Sequence, residues 1–320
     1  MQLPFSKALV TGGAGFIGSH LAEALVQGGC EVIVVDNLSS GHEHNLEGFR
    51  DQINFVHGDI RDGEALAELC RGCDLVFHQA AVVSVTKTVE DPVASTLVND
   101  IGTLQVLDAA RRSGVKRVVL ASSSAVYGDD PQLPKVESML PRPQSPYAVQ
   151  KLTNEHYARL YHGLYGLETV CLRYFNVFGP RQDPSSPYSG VISIFMTKAA
   201  KAESPVIYGD GRQTRDFVFV GDVVQANLLA ASSQDAAGQV FNVGTSQSIE
   251  INTLWDSIAR LAGSPVFRRH ADPRPGDIVH SLAGIQKAKD VLGYQPRVDF
   301  RQGLERTFSW YRSNLSPAEG

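Results

Sequence analysis

Cysteine is scarce in this 320-residue chain, which contains only Cys30, Cys70, Cys73 and Cys171. Four scattered cysteines are too few for a disulfide framework, which favours a reducing compartment such as the cytoplasm. Cys70 and Cys73 form a C-x-x-C pattern, but there is no second pair and no histidine close by. The pattern therefore predicts a helix end followed by a turn at Gly72, and no metal site.

The sequence also lacks an excess of basic residues and a long apolar run. Its 29 Lys and Arg against 34 Asp and Glu give a net charge of −5, so no nucleic-acid partner is expected. No apolar run reaches the ~18 residues of a membrane-spanning helix, and the first residues show no signal segment. We therefore expect a cytoplasmic protein without a membrane partner. The 43% of hydrophobic residues is typical of a globular fold.

Short apolar runs alternate with helical patterns in the first half of the chain. Because the runs are uniformly apolar, they predict an α/β fold with a parallel sheet covered on both faces. A long helix is predicted over Thr96–Arg112. After about residue 180, glycine and proline are denser, which predicts a smaller mixed α/β substrate-binding lobe. The predicted strands of the first half are Lys7–Val10, Glu31–Val35, Ile53–Val56, Leu75–Phe77 and Arg117–Leu120.

A glycine-rich turn follows the first predicted strand. Gly12, Gly15 and Gly18 form the pattern G-x-x-G-x-x-G, and a helix is predicted from Phe16. Gly12 and Gly15 let the backbone approach a pyrophosphate, and the helix N-terminus supplies N–H donors. Gly18 allows the helix to pack closely on the sheet. The pattern predicts a dinucleotide site; the alternative is a tight turn that binds nothing.

Two aspartates end the next two predicted strands. At Asp36, a carboxylate can accept hydrogen bonds from both hydroxyls of the adenosine ribose. It would repel a 2′-phosphate, and no Arg or Lys occurs between Asn37 and Phe49, so NAD is favoured over NADP. Asp59 has two interpretations, contact with the adenine edge or a helix cap, and both stay open.

Tyr147 and Lys151 are four residues apart in a predicted helix, so they share one face. An ammonium near a phenol stabilises the phenolate, and a cationic nicotinamide ring does so again, which predicts that Tyr147 can act as a base near neutral pH. Y-x-x-x-K is common by chance, and its alternative is two surface residues. Ser122-Ser123-Ser124 at the end of the fifth predicted strand strengthens the catalytic interpretation, because ligands bind at the carboxyl ends of such strands.

Together these motifs resemble the extended short-chain dehydrogenase/reductase family, and within it the nucleotide-sugar 4-epimerases. The resemblance runs from about residue 6 to residue 312. It implies a Rossmann-type doubly wound sheet, with an NAD-binding domain over residues 1–180 and a nucleotide-sugar-binding lobe over residues 181–320 whose segments can interleave. The segments that carry it are Gly12–Gly18, Asp36-Asn37, His78–Ala81, Ser122–Gly128, Tyr147–Lys151, Leu172–Gly179, Arg173–Pro184 and Arg274–Asp277.

The resemblance also implies NAD as cofactor, a UDP-sugar as substrate, and a homodimer that pairs the Thr96–Arg112 and Ala148–Leu164 helices in a four-helix bundle. It implies that Ser123, Tyr147 and Lys151 are catalytic, with Ser124 as the alternative hydroxyl. The implied cofactor site consists of Gly12, Gly15, Phe16, Ile17, Gly18, Asp36, Asn37, Ser40, Gly41, Asp59, Ile60, Gln79, Ala80, Ala81, Tyr147, Lys151 and Tyr174. The implied substrate site consists of Lys87, Ser123, Ser124, Tyr147, Asn176, Tyr208, Arg215, Arg274, Asp277 and Ser281.

The family comparison implies transient oxidation at C4 of the sugar, rotation of the 4-keto sugar and return of the hydride. Ser281 falls where the family has a large Tyr in enzymes confined to plain hexoses, so its small side chain implies room for an N-acetyl group. A dehydratase or decarboxylase is the first alternative, but Ser122–Tyr127 contains no carboxylate to serve as the acid. A non-catalytic NAD sensor is the second. The histidines His42 and His44 lack an evident third ligand, so no metal is expected.

Overall fold

The structure, a computed structural model, describes residues 4–183, 190–263, 267–273 and 279–314. The strands of this part of the chain are β1 (Lys7–Thr11), β2 (Glu31–Asp36), β3 (Ile53–His57), β4 (Leu75–His78), β5 (Arg117–Ser123), β6 (Glu168–Tyr174), β7 (Asn176–Phe178), β8 (Val206–Tyr208), β9 (Thr214–Arg215), β10 (Phe217–Phe219), β11 (Gln239–Val243), β12 (Ile249–Glu250) and β13 (Arg269–Ala271). The α-helices are α1 (Phe16–Gln27), α2 (Gly63–Cys70), α3 (Val85–Glu90), α4 (Pro92–Thr96), α5 (Gly102–Arg112), α6 (Pro146–Tyr165), α7 (Val191–Ala200), α8 (Val220–Ser232), α9 (Ile251–Ala262), α10 (Gln286–Leu292) and α11 (Phe300–Asn314).

Seven strands form one sheet in the order β11-β6-β5-β4-β1-β2-β3. Every neighbouring pair in it is parallel. Along β1, Ala8 and Val10 face one hydrophobic cluster and Leu9 faces the other, because successive side chains of a strand alternate between faces. The first cluster packs under α1 and α8, and the second under α2, α5 and α6. This is the Rossmann-type α/β fold expected from the sequence.

The order of the strands places a binding crevice at the carboxyl ends of β1 and β4. From β1 the chain continues outward to β2 and β3, whereas β4, β5, β6 and β11 lie on the other side of β1. The direction of winding therefore reverses between β1 and β4, and such reversal points open a crevice for ligands. Thr11 and His78, which are paired in register, mark this edge.

The C-terminal part of the chain contributes to two regions. The helix α8 and the strand β11 lie on the main sheet, where β11 pairs with β6 from Val170 to Tyr174. The rest forms three two-stranded sheets, β10-β7, β12-β9 and β13-β8, beside a third cluster around Phe178, Trp255 and Tyr311. The division at residue 180 stays a prediction. No helix of the described ranges has the length and apolar character of a membrane span.

The predicted long helix over Thr96–Arg112 contains a wider turn that the sequence pattern does not reveal. Leu97–Ile101 is a π-helical turn between α4 and α5, in which the backbone N–H of Gly102 donates to the Leu97 carbonyl five residues earlier. The Asn99 side chain holds this turn, because it donates to the Val82 carbonyl at 3.0 Å and accepts from the Val82 N–H at 2.8 Å. The helix therefore widens where Asn99 pairs with the loop residue Val82, and no periodicity in the sequence records such a contact.

Candidate active site

The glycine-rich turn between β1 and α1 has no room for side chains. Gly12 has a positive φ of 67°, and a Cβ there would lie 2.6 Å from the Ala80 nitrogen. A Cβ on Gly18 would lie 2.1 Å from the Gly12 carbonyl oxygen, so Gly18 permits contact with the turn itself and not, as expected, with the sheet. Gly15 caps α1 without a side-chain hydrogen bond, so the first N–H groups of α1 point toward the crevice. Phe16 and Ile17 follow in the first turn and are half-buried.

Asp36 lies at the end of β2, beside the glycine-rich turn. Its carboxylate accepts backbone hydrogen bonds from Ala14 at 3.0 Å and from Leu38 at 2.8 Å, one on each oxygen. A Cβ on Gly41 would lie 2.9 Å from the same carboxylate. Each carboxylate oxygen has a second lone pair, so Asp36 can still accept from two hydroxyls. Asn37 and Ser40 are exposed in the loop that follows.

Asp59 is not the cap of a helix, since Asp62 caps α2 by accepting from the Ala65 N–H at 3.0 Å. Instead, the Asp59 carboxylate accepts from the Arg61 guanidinium at 2.7 and 2.9 Å and from Asn37 at 3.0 Å. Hydrogen bonds from Arg61 hold the pKa of Asp59 well below its usual range. The cap interpretation is therefore wrong, and contact with the adenine edge stays a prediction. The next residue, Ile60, is buried in the core.

The segment after β4 forms the floor of the crevice. The Gln79 amide donates to the Tyr174 hydroxyl at 3.1 Å and to Asn227 Oδ1 at 3.2 Å. These contacts join the ends of β4 and β6 to α8. Ala80 and Ala81 follow with half-buried side chains, and the Ala80 nitrogen lies against Gly12. The predicted cofactor residues Gly12, Gln79 and Tyr174 therefore lie along one edge of the sheet.

Ser123 and Tyr147 approach each other at the same edge, where the Ser123 hydroxyl acts to lower the pKa of Tyr147. Ser123 is the last residue of β5, and Tyr147 is in the first turn of α6, where Pro146 begins the helix and Ser145 caps it. Lys151 lies one turn further along α6, with Nζ 5.8 Å from the centre of the Tyr147 ring. The ammonium donates to the Ala121 carbonyl at 2.8 Å. Ser124 begins a short 3-10 helix over Ser124–Tyr127.

Burial dominates the ionisation of Tyr147 and Lys151. It raises the pKa of Tyr147 to about 12, although the hydrogen bond with Ser123 acts in the opposite direction. It lowers the pKa of Lys151 to about 8, against the fields of Cys171, Asp100 and Glu155. These directions apply to the chain alone, and a Tyr147 base near neutral pH stays a prediction for the complex with NAD. A further positive charge beside the phenol is needed to favour the phenolate.

Glu155 anchors α6 to the sheet, a feature that sequence reasoning missed. Its carboxylate accepts from Ser122 Oγ at 2.5 Å and from the Arg173 guanidinium at 2.7 and 2.8 Å. All three side chains are buried. The helical spacing offered a signal, since Glu155 continues the face of Tyr147 and Lys151 by one more turn. The ion pair of Glu155 and Arg173 fixes the position of α6 relative to the ends of β5 and β6.

The predicted substrate residues lie in several neighbouring elements. The Asn176 N–H donates to the Asp216 carbonyl at 3.0 Å, and the Ser281 N–H donates to the Thr214 carbonyl at 3.1 Å. Arg215, between Thr214 and Asp216, therefore lies close to both. Two more predicted residues are partly or largely exposed, Lys87 in α3 and Tyr208 in β8. Arg274 and Asp277 lie outside the described residues.

The two sequence patterns considered as metal sites have other structural roles. Cys70 ends α2 and Gly72 has a positive φ of 71°, as predicted for a helix end with a turn. His42 stacks on His44 with ring centres 5.1 Å apart and contacts the Asp183 carboxylate at 3.1 Å. The described residues contain no group of three or more His, Cys, Asp or Glu side chains arranged to hold a metal ion.

Residues 8–244 match the model of the NAD dependent epimerase/dehydratase family. The chain belongs to this family. It is 41% identical to a putative UDP-glucose 4-epimerase of Methanocaldococcus jannaschii, with coverage of 96% of this chain and 98% of that protein. A UDP-N-acetylglucosamine 4-epimerase from Methanobrevibacter ruminantium, in complex with UDP-N-acetylmuramic acid, has 41% identity and a TM-score of 0.93 over 98% of this chain and 99% of that one. UDP-glucose 4-epimerase of Thermus thermophilus, in complex with NAD, has 40% identity and a TM-score of 0.88 over 96% and 99%.

Other members of the epimerase/dehydratase family that resemble this chain have different names. A UDP-N-acetyl-alpha-D-glucosaminuronate decarboxylase of Bacillus cytotoxicus is 35% identical over 96% of this chain and 98% of its own length. A dTDP-glucose 4,6-dehydratase of an Actinoplanes strain is 35% identical over 97% and 99%. Membership of the family therefore makes this chain an NAD-dependent enzyme, whereas the named members differ in their substrates.

The residues of the crevice fit NAD, the cofactor of this family. The contacts of Gly12 and Gly18 leave only backbone at the turn, where a diphosphate can approach the N–H groups at the start of α1. Asp36 keeps free lone pairs on a buried carboxylate at the end of β2, as two ribose hydroxyls require. The described part of the chain places no Arg or Lys hydrogen bond on Asp36, which suits NAD better than NADP.

Proposed function

We propose that this enzyme is a UDP-sugar 4-epimerase that interconverts UDP-GlcNAc and UDP-GalNAc, and also UDP-glucose and UDP-galactose. The observation that carries the proposal is that Ser123, Tyr147 and Lys151 come together at one edge of the sheet, with the Ser123 hydroxyl acting to lower the pKa of Tyr147 and Lys151 Nζ 5.8 Å from the centre of the Tyr147 ring. A hydroxyl, a phenol and an ammonium in this order can bind a sugar hydroxyl and move its proton. They lie at the same edge of the sheet as the glycine-rich turn, the edge where we place NAD.

In this mechanism, Tyr147 holds and returns one proton at its phenolic oxygen. It takes the proton of the 4-hydroxyl group as the sugar is oxidised at C4, and gives it back after the 4-keto sugar has turned. Ser123 Oγ donates a hydrogen bond that orients the reacting oxygen, and Lys151 stabilises the phenolate through its positive charge. When bound, NAD supplies the acceptor and donor of the hydride and, in its oxidised form, a positive charge.

The nucleotide is anchored so that the sugar alone is free to turn. The guanidinium of Arg215 donates to the Thr214 carbonyl at 2.9 Å, and its planar shape also suits a diphosphate and a ribose, to which we assign it together with Asn176. Lys87 and Tyr208 extend this site toward the sugar and the uracil. We assign Arg274 and Asp277 to the same site from the sequence, since they lie outside the described residues. Ser281 is buried and small at the position we assign to the wall of the sugar pocket. Its size is the reason for including N-acetylated sugars.

Dehydration is less well supported, because an eliminated hydroxyl needs an acid beside Tyr147. Ser124 and Ala125 occupy the places after Ser123. The nearest carboxylates along the chain are engaged in their own loop: Asp129 accepts from Gln144 at 3.3 Å, and Asp130 accepts from the Gln132 N–H at 2.9 Å. A non-catalytic sensor would not need the Ser123–Tyr147 contact at all.

The test is incubation of the purified protein separately with UDP-GlcNAc and UDP-glucose, without added cofactor. NMR and mass spectrometry should show the C4 epimers with unchanged mass and no accumulated keto sugar. A keto product would support the dehydratase alternative. No turnover of any nucleotide sugar, with NAD bound in wild type and in Tyr147→Phe, would support the sensor.

We further propose that two copies of this cytoplasmic enzyme pair through α5 and α6 in a four-helix bundle. Large apolar side chains are exposed on α6 and on the π turn before α5: Leu97, Ile101, Val149, Leu160 and Leu164. Exposed apolar surface of this kind marks interaction sites. Light scattering should give the mass of a dimer. The double variant Leu160→Lys/Leu164→Lys should be a monomer with native helix content, whereas a dimer in that variant would contradict the proposed interface.

A further inference from the structure

The π-helical turn over Leu97–Ile101 packs against the catalytic helix at Lys151. Asn99 Nδ2 donates to Gln150 Oε1 at 2.7 Å, and Asn154 Nδ2 donates to the Asn99 carbonyl at 3.0 Å. Gln150 and Asn154 lie on either side of Lys151 in α6. The two hydrogen bonds therefore hold the turn beside the lysine. Single π-helical turns inside α-helices are rare and occur frequently at functional sites.

Asp100, the next residue of the turn, carries a carboxylate oxygen without a partner. Its Oδ1 is buried and accepts no hydrogen bond from the described residues. A buried carboxylate oxygen that no donor satisfies is unfavourable for folding, so its presence calls for a compensating interaction. Burial raises the pKa of Asp100, and the positive charge of Lys151 acts to lower it. The two groups therefore interact through the interior.

We propose that Asp100 is a positioning residue that keeps the Lys151 ammonium charged, from a turn that is hydrogen-bonded to α6 on either side of the lysine. One of the three N–H groups of Lys151 donates to the Ala121 carbonyl, which is neutral. A desolvated ammonium needs a negative charge nearby to remain protonated. Asp100 supplies that charge from an element other than α6. The inference deepens the proposed function, since it rests on Lys151 stabilising the Tyr147 phenolate.

The other titratable groups around Lys151 do not replace Asp100. Burial raises the pKa of Tyr147 to about 12 and also raises that of Cys171 in β6, so both are neutral at pH 7. Burial also lowers the pKa of His78 in β4 to about 3. The Glu155 carboxylate in α6 is bound at both oxygens by the Arg173 guanidinium. Asp100 is the carboxylate of this set with no ion pair among the described residues.

The variant that tests this is Asp100→Asn, which has nearly the same shape. The Lys151 pKa is measured by NMR titration of ¹³Cε-labelled lysine, assigned with Lys151→Arg, both without and with NAD. We expect the Lys151 midpoint to fall by about one unit when the carboxylate is removed. The alkaline limb of kcat should fall by the same amount with little change in KM. The unfolding midpoint in urea should not fall, because a desolvated carboxylate has been replaced by an amide.

The matched control is Asp108→Asn. It removes a carboxylate from the next part of the same helical segment, where Asp108 is paired with Arg111 at 2.7 Å. The Lys151 midpoint should stay at its wild-type value in this variant. An equal shift in both variants would mean that net charge, and not Asp100, sets the pKa of Lys151.

An unchanged Lys151 midpoint in Asp100→Asn overturns the inference, whatever the activity. A shifted midpoint in a protein that turns over no nucleotide sugar leaves the inference standing and overturns the proposed function. If Asp100→Asn does not fold, the reciprocal measurement decides. In Lys151→Met, the Asp100 carboxyl pKa, followed by ¹³Cγ NMR, should rise because the stabilising charge is gone, and no rise would overturn the inference.

Discussion

The Ser122 hydroxyl donates to the Glu155 carboxylate at 2.5 Å, behind the site, while the next residue along β5 turns its hydroxyl to Tyr147. Successive side chains of a strand point to opposite faces, so the two serines cannot exchange these contacts. Glu155 is in turn bound to Arg173. The contact of Ser122 with Glu155 on one face of β5 therefore determines that the Ser123 hydroxyl is presented on the other face.

Replacement of Tyr147 by Phe removes the phenolic oxygen that we assign to proton transfer and keeps the ring. We expect the turnover rate to fall by ~10²–10⁴, the contribution of a positioned base, with NAD still bound. Steady-state assays with both UDP-sugar pairs, together with protein-bound NAD measured by mass spectrometry, test this. Tyr157→Phe, on the same helix, should keep its activity. A rate within a few-fold of wild type in Tyr147→Phe would rule out Tyr147 as the base.

Activity should decline above about pH 8, because the pKa of Lys151 is lowered to about 8 by burial. Below that pH the lysine is an ammonium that can stabilise the phenolate, and above it this charge is lost. The measurement is kcat between pH 6 and 10 in wild type and Lys151→Arg. The guanidinium of the variant keeps its charge throughout, so whatever activity remains should lack the alkaline decline. A decline of the same shape in both proteins would assign it to another group. Lys151→Ala should be impaired at every pH.

Removal of the Asp36 carboxylate should weaken NAD binding and reduce the ratio of NAD affinity to NADP affinity. Hydrogen bonds to a charged group contribute ~1.5–3 kcal/mol, so Asp36→Ala should lose about tenfold or more in NAD affinity. NADP affinity should change less, since a repulsive charge is removed together with the acceptor. Titration calorimetry of the cofactor-free protein with each dinucleotide measures both. Equal affinities in the wild type would refute the assigned role.

An added methyl group at Gly18 should disrupt the dinucleotide turn. The new Cβ would lie 2.1 Å from the Gly12 carbonyl oxygen, and a backbone atom cannot move away as a side chain can. Overpacking of this kind costs ~1–3 kcal/mol, so Gly18→Ala should unfold at lower temperature and bind NAD weakly. In Gly48→Ala the new Cβ meets no atom within 4 Å, and both properties should be retained. Normal NAD affinity in Gly18→Ala would mean that the turn can shift without loss.

A tyrosine at position 281 should close the space that we assign to the acetamido group. Ser281 is 9% exposed, so a phenol ring there has to displace its surroundings or fill the pocket. Ser281→Tyr should suppress turnover of UDP-GlcNAc and UDP-GalNAc much more than turnover of UDP-glucose and UDP-galactose. Ser281→Ala is the control and should keep all four. If Ser281→Tyr slows both pairs equally, or wild type ignores N-acetyl sugars, the assignment is wrong.

Most of the sheet could be predicted from the sequence because its strands are short, uniformly apolar runs. Lys7–Val10 and Glu31–Val35 each differ from the observed strand by one residue at the end. The dinucleotide turn was also readable, since its glycines follow a strand and precede a helix. The local pattern was sufficient in these cases because the structure there depends on neighbours in the chain.

Features that depend on distant residues could not be read in the same way. The π turn results from the pairing of Asn99 with Val82 and Gln150, which no periodicity records. The high pKa of Tyr147 results from burial, whereas the sequence indicated the charges near the phenol and not how deeply it is buried. A Cβ added to Gly18 would clash with Gly12 and Gly13 of the turn and not with the sheet. The glycine motif alone does not distinguish these two contacts.

The place of β11 in the main sheet has a consequence for synthesis on the ribosome. The strand Gln239–Val243 emerges long after its partner β6, and until then β6 is an edge with open hydrogen-bonding groups. In the nascent chain, Val170 and Leu172 therefore stay incompletely covered until a segment that follows Arg215 in the sequence has been synthesised. A gene fusion that joins the first 180 residues to a different partner would inherit this exposed edge and its tendency to aggregate.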